Sequence, residues 1–166
     1  GTFVAIVAGT TGILFTSITS GGVAGAAMNP VLVFTPATTV PIGGTITLTM
    51  PAGYFLGTVT SIASGVTSLT ATSTPAATAT STSIVLTTAG AATGTAAITM
   101  TLTGLTLGGA RAIVAGGFQM KTSADAGLSV ALDTVAVTGI VFTSITSGGV
   151  AGASVSPVLV FTPATT

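Results

Sequence analysis

Residues 139 to 166, GIVFTSITSGGVAGASVSPVLVFTPATT, restate residues 12 to 39, GILFTSITSGGVAGAAMNPVLVFTPATT, with four substitutions in 28 positions. The two copies begin 127 residues apart. That spacing is too long for one turn of a solenoid and suits an independent domain, so the repeating object is a whole domain. Upstream, Thr11 matches Thr138, but FVAIVAGT and LDTVAV share only strand-like character. The phase that follows places a closing strand of a preceding unit, or a donor strand, at residues 1–11. A complete unit spans 12–138, and the opening strands of a next unit, or a donor segment, span 139–166. Apolar strands at both ends then lack a sheet of their own and need a partner chain or the rest of a longer one.

Threonine is the commonest polar residue, with 36 of 166 positions, and it alternates with aliphatic and β-branched residues at the period of a half-buried strand. In GGTITLTMP the alternation turns Thr45, Thr47 and Thr49 outward and Ile46, Leu48 and Met50 inward. TSIVLTTAG (82–90), GTAAITMTLTGLTLG (94–108), GGFQMKTSAD (116–125) and GLSVALDTVAVTG (127–139) extend the pattern between Gly, Pro and Asp turn signals. No stretch has helical periodicity. About eight strands in a 127-residue unit predict an all-β fold, an immunoglobulin-like antiparallel β-sandwich whose terminal strands are shared with or exchanged between neighbours. Two segments break the alternation: Ile13-Leu14-Phe15 and Val31-Leu32-Val33-Phe34, which return as Ile140-Val141-Phe142 and Val158-Leu159-Val160-Phe161. Continuous apolar runs imply cover on both faces, either at the seam of one sandwich or between a sandwich and its neighbour.

Only Arg111, Lys121, Asp125 and Asp133 carry charge, 2% of the chain against roughly 25% in an ordinary soluble domain. Such a surface has no self-repulsion, which favours association. No basic patch exists for nucleic acid, whose binding draws on clustered Lys and Arg. Mean hydropathy is +1.00, yet Thr, Ser, Gly and Pro break every apolar run before a membrane-spanning length of about 18 residues. A membrane β-barrel fits poorly with one Tyr and no Trp, because such barrels carry aromatic girdles.

VFTPATTVPIGGTITLTMP (33–51) and GFQMKTSAD (117–125) resemble elements of the Thr-rich immunoglobulin-like repeats of giant secreted surface proteins, and are similar to subunits of extracellular fibrils from microbial or algal sources. The resemblance implies a structural, secreted role and no catalytic residues.

Histidine, cysteine and glutamate are absent. General acid–base catalysis would rest on two aspartates, soft or imidazole metal sites are excluded, and a Ser nucleophile would have only Lys121 to activate it, so the chain is not expected to be an enzyme or to hold a cofactor. Asp125 and Asp133 are candidates for a calcium site, but eight residues apart and without an EF-hand pattern they read as turn caps or as partners of Lys121 and Arg111. The Gly-Gly pairs fit no phosphate-loop pattern and read as tight connections. Tyr54 and Phe55 in PAGYFLG are the aromatic candidates for a binding surface, with a turn plug against the core as the plainer reading. TATSTPAATATSTS (70–83) has the composition of O-glycosylated segments, with Thr72, Ser73, Thr74, Thr78 and Thr80 as candidates. The only Asn, Asn29, precedes Pro30, which spoils an N-glycosylation sequon.

These readings converge on a structural subunit of an extracellular filament that polymerises with copies of itself by inter-unit strand addition. The anchors expected are Ile13, Phe15, Val31, Val33 and Phe34, with their copies Ile140, Phe142, Val158, Val160 and Phe161. The alternative is a stalk or binding domain of a repetitive surface adhesin.

Overall fold

Alternation becomes pleat in the computed structural model, which describes residues 12–64, 69–70, 76–90, 93–125, 127–146, 154 and 157–162. The expected closing strand at residues 1–11 and the glycan candidates Thr72, Ser73 and Thr74 lie outside them. In chain order the strands are β1 (Leu14–Ile18), β2 (Gly22–Val23), β3 (Ala27–Met28), β4 (Val31–Thr35), β5 (Thr45–Thr49), β6 (Phe55–Ser64) and β7 (Leu69–Thr70). Then come β8 (Ser83–Thr87), β9 (Ala89–Gly90), β10 (Ile98–Leu107), β11 (Gln119–Thr122), β12 (Val137–Thr138), β13 (Val141–Thr146) and β14 (Val158–Thr162). No helix occurs among the described residues.

Two antiparallel sheets pack into a sandwich. In the first, β1 pairs β4, β4 and β3 share one edge of β10, and β6 takes the other edge. The second runs β11-β5-β8, and an isolated bridge from Phe118 to Leu132 extends it beyond β11. Leu32, Phe34, Ile98, Met100 and Leu102 from the first sheet meet Ile46, Leu48, Ile84, Leu86 and Met120 from the second, all in one apolar core. At one end of the core Tyr54, Phe55 and Phe118 form a ring cluster, with edge contacts at 4.9 and 5.0 Å between centroids and a stacked pair at 5.9 Å.

β10 does not hold one phase. Ile98, Met100 and Leu102 face the core, then the inward set shifts to Leu105 and Leu107. The slip is a bulge at Gly104, whose φ of +89° belongs to glycine, in the break between the Thr103–Ser61 and Leu105–Gly57 pairs with β6. A Cβ on Gly104 would stand 2.5 Å from the Thr58 carbonyl oxygen, so neither strand has room for a side chain there.

Two strand expectations are corrected. Thr47 faces the expected side of β5 but is buried, because β5 is the central strand and Thr47 lies between Lys121 and Val85 in register. Residues 127–139 form no continuous strand; only Val137–Thr138 qualify, besides the Leu132 bridge. Side chains there supplement a broken set of backbone bonds: Ser129 Oγ accepts from Met120 N at 2.9 Å, Asp133 Oδ1 from Gly116 N at 2.7 Å, and Thr134 Oγ1 from Val114 N at 2.8 Å. β12 then pairs with β2 in parallel, Val137 opposite Gly22 and Thr138 opposite Val23.

Candidate assembly interface

The two apolar runs of the duplicated sequence pair in the same way in both copies. In the first copy Leu14 stands opposite Thr35, Phe15 opposite Phe34, Ser17 opposite Val33 and Ile18 opposite Leu32, with a bulge between Phe15 and Ser17. In the second, Val141 stands opposite Thr162, Phe142 opposite Phe161, Ser144 opposite Val160 and Ile145 opposite Leu159, with the bulge between Phe142 and Ser144. Every pair in the second set is the first displaced by 127 residues. In the first copy the bulge is tied by Thr16 Oγ1, which donates to the Val33 carbonyl at 3.0 Å.

The surroundings differ. The first hairpin is seated on the sandwich: β4 pairs along β10, and Ile13, Phe15, Leu32 and Phe34 enter the core. The second forms a two-stranded sheet by itself. Ile13 is 3% exposed and its copy Ile140 is 70% exposed; Leu32 is fully buried and its copy Leu159 is 54% exposed. Val158 and Val160 are also exposed. An isolated two-stranded hairpin is at best marginally stable in water, and this one carries no charged residue.

Of the expected anchors in the first copy, Ile13, Phe15 and Phe34 therefore pack into their own sandwich, while Val31 and Val33 sit half-buried on the outer face of β4. In the second copy Ile140, Val158 and Val160 stand open, and Phe142 and Phe161 pair through their backbones in the hairpin. Sequence reasoning passed over Leu32 and Leu159. Within VLVF the alternation itself was the signal, since Leu32 shares a face with Phe34.

The remaining candidates have structural partners. Tyr54 and Phe55 are fully buried, and the Tyr54 hydroxyl donates to the Val135 carbonyl at 2.6 Å, so they form the core plug and offer no binding surface. The Arg111 guanidinium lies 5.6 Å from the Tyr54 ring centre and donates to the Ala52 and Gly53 carbonyls at 2.9 and 3.3 Å. Asp133 caps the turn at Gly116, and Asp125 Oδ2 accepts from Thr122 Oγ1 at 3.0 Å, so the carboxylates act within turns while Arg111 serves main-chain carbonyls. No group of three metal-ligating side chains occurs among the described residues. Thr78 and Thr80 are exposed, with their hydroxyls 3.2 Å apart. No helix among the described residues is long and apolar enough to cross a membrane, which leaves strand-built membrane proteins unaddressed. Comparison with family models, curated proteins and solved structures returns no match for this chain.

Proposed function

We propose that the protein is a structural unit of an extracellular filament, in which β-sandwiches follow one another and join through the hairpin that each contributes to the next. The observation that carries this reading is the second hairpin, whose sequence and register are those of a seated hairpin but whose Ile140, Val158, Leu159 and Val160 are exposed. Apolar area left in water drives association at roughly 25 cal/mol per Å², and a nearly uncharged surface opposes it little. The order β1-β4-β10-β6 facing β11-β5, with residues around Leu132 beside β11, supports an immunoglobulin-like topology. Outward hydroxyls at Thr78 and Thr80 are proposed to carry O-linked sugar, which would hydrate a fibre surface that charge does not.

Electron microscopy of purified native material tests the filament reading: helical fibres of indefinite length are expected, and dispersed single beads at every concentration would overturn it. Denaturing electrophoresis of the same material separates protomers near 15.6 kDa, plus sugar, from a covalent array of far larger mass. Intact mass equal to the bare polypeptide would remove the sugar.

A further inference from the structure

Two hairpins and one seat occur among the described residues. The seat is the edge of β10 on which β4 lies, with Phe34 opposite Ile98, Val33 opposite Thr99, Leu32 opposite Met100 and Val31 opposite Thr101. Resting on the filament reading, we infer that the β13–β14 hairpin takes this seat in a second copy of the sandwich. β14 would then run antiparallel to that copy's β10, with Phe161 opposite Ile98, Val160 opposite Thr99, Leu159 opposite Met100 and Val158 opposite Thr101.

Three observations select that occupant. The first is which residues differ between the copies. Leu14→Val141, Ala27→Ser154 and Asn29→Ser156 fall at exposed positions, and Met28→Val155 at a half-buried one. The inward set Ile13, Phe15, Leu32 and Phe34 is kept unchanged as Ile140, Phe142, Leu159 and Phe161. Solvent alone would not require an apolar set on one face of a free hairpin. The second is the shared register with its bulge, which leaves the hairpin already in the form the seat accepts. The third is reach. Only Gly139 and Ile140 separate β12, bonded to β2, from β13, and two residues span at most about 7 Å. Both long edges of the chain's own β10 are filled, one by β4 and β3 and the other by β6. The hairpin therefore projects toward another sandwich.

Seating also fixes the junction. Gly139 then occupies the Gly12 position of the second sandwich. Around Gly12 the nearest backbone group is the Leu128 carbonyl, and around Gly139 the neighbours are Ala110 and Ala24. The exposed Leu128 of one unit thus lies close to Ala24 and Ala110 of the unit before it.

Between separate chains the exchange is close to balanced, because one seated hairpin is traded for another, so the test empties the seat. Phe34→Asp in the full chain puts a carboxylate where the core is fully buried and unseats the first hairpin. Thr99→Cys and Val160→Cys are added to trap the exchanged pair. Leu102 N donates to the Pro30 carbonyl, which by alternation makes the Thr99 and Val33 pair the non-hydrogen-bonded kind, where side chains stand closest. The expected result is retained β-sheet circular dichroism and a non-reducing ladder at multiples of 15.6 kDa. Pairing Thr99→Cys with Val158→Cys, two residues out of register, should leave only a small fraction of that ladder. Adding Phe161→Asp should abolish both ladder and folded signal.

An unfolded Phe34→Asp chain, a folded monomer, or equal cross-linking by the out-of-register pair overturns the inference. Fibres of the unmodified chain with a negative cross-link sink this seat alone. A positive cross-link from a chain whose unmodified form never makes fibres sinks the filament reading alone.

Discussion

Leu32 and Leu159 are the same residue at the same register of two nearly identical hairpins, so truncating each to alanine isolates what the sandwich contributes. Leu32 is fully buried on β4, and a core Leu→Ala substitution costs about 2–5 kcal/mol through lost transfer energy and the cavity left behind. Leu159 is half-exposed in the separate chain, where the same change should cost no more than about 0.5 kcal/mol. The single Tyr54, fully buried in a chain without Trp, gives an intrinsic fluorescence probe. In dilute urea titrations Leu32→Ala should lower the midpoint by on the order of 1–3 M for a 3 kcal/mol loss, with Leu159→Ala nearly superimposed on the parent curve. Assembly should reverse the silence of Leu159. Once seated it takes the environment of Leu32, and a loss of about 2–5 kcal/mol weakens each junction roughly 30- to 4000-fold by sedimentation. Equal destabilisation of the dilute chain by both substitutions would refute the argument, because the second hairpin would then be packed in the chain's own core. An assembly unaffected by Leu159→Ala would refute it from the other side.

Tyr54→Phe should cost about 1–3 kcal/mol by circular-dichroism denaturation, since it strips the Val135 carbonyl of a donor 2.6 Å away at a fully buried site. Gly104→Ala should cost more than about 2 kcal/mol, from positive φ and from the Thr58 carbonyl, whereas Gly109→Ala, whose Cβ meets nothing within 4 Å, should stay within about 0.5 kcal/mol. Assembly measured by light scattering should change little when sodium chloride rises across the range that screens surface charges, and should strengthen in sulfate, because the hairpin is uncharged and its seat apolar. A steep loss in sodium chloride would contradict apolar seating.

The sandwich was legible because Thr alternates with aliphatic residues wherever one face is wet, as in β8, where Ile84 and Leu86 are buried and Ser83, Val85 and Thr87 are exposed. The repeat was legible as a repeat, yet the anchor set was only partly so. Val31 and Val33 look like Leu32 in a continuous apolar run, and only a β-pleat tells the faces apart. Three features depend on contacts distant in sequence. Thr47 is buried by its neighbours across two ladders, the bulge at Gly104 answers Gly57 more than forty positions earlier, and residues 127–139 add Ser129, Asp133 and Thr134 side-chain acceptors to an interrupted run of backbone bonds. Local periodicity carries none of that information. The open hairpin is the reverse case: its sequence reads as core, yet Ile140, Val158, Leu159 and Val160 are exposed in this chain.

The parallel pairing of β12 with β2 bears on how such a unit would carry load. β2 follows β1 in the segment that opens the repeated sequence at Gly12, and β12 immediately precedes Gly139, where that sequence recurs. Pulling the two points apart loads β1, held by β4 and by Ile13 and Phe15 in the core, and then shears these parallel strands past one another lengthwise. The Ala24 N to Thr138 O bond at 2.8 Å and the Thr138 Oγ1 to Gly22 O bond at 3.1 Å then lie across the direction of sliding and are strained together. The Arg111 and Val137 backbones, bonded to each other at 2.8 and 3.0 Å, fasten β12 on its other side. A sheet peeled from its end breaks one bond at a time, but strands sheared in this way must give up all of them at once. In an array of such units, tension would thus be met by the core-anchored start of β1, through Ile13 and Phe15, together with this shear pairing.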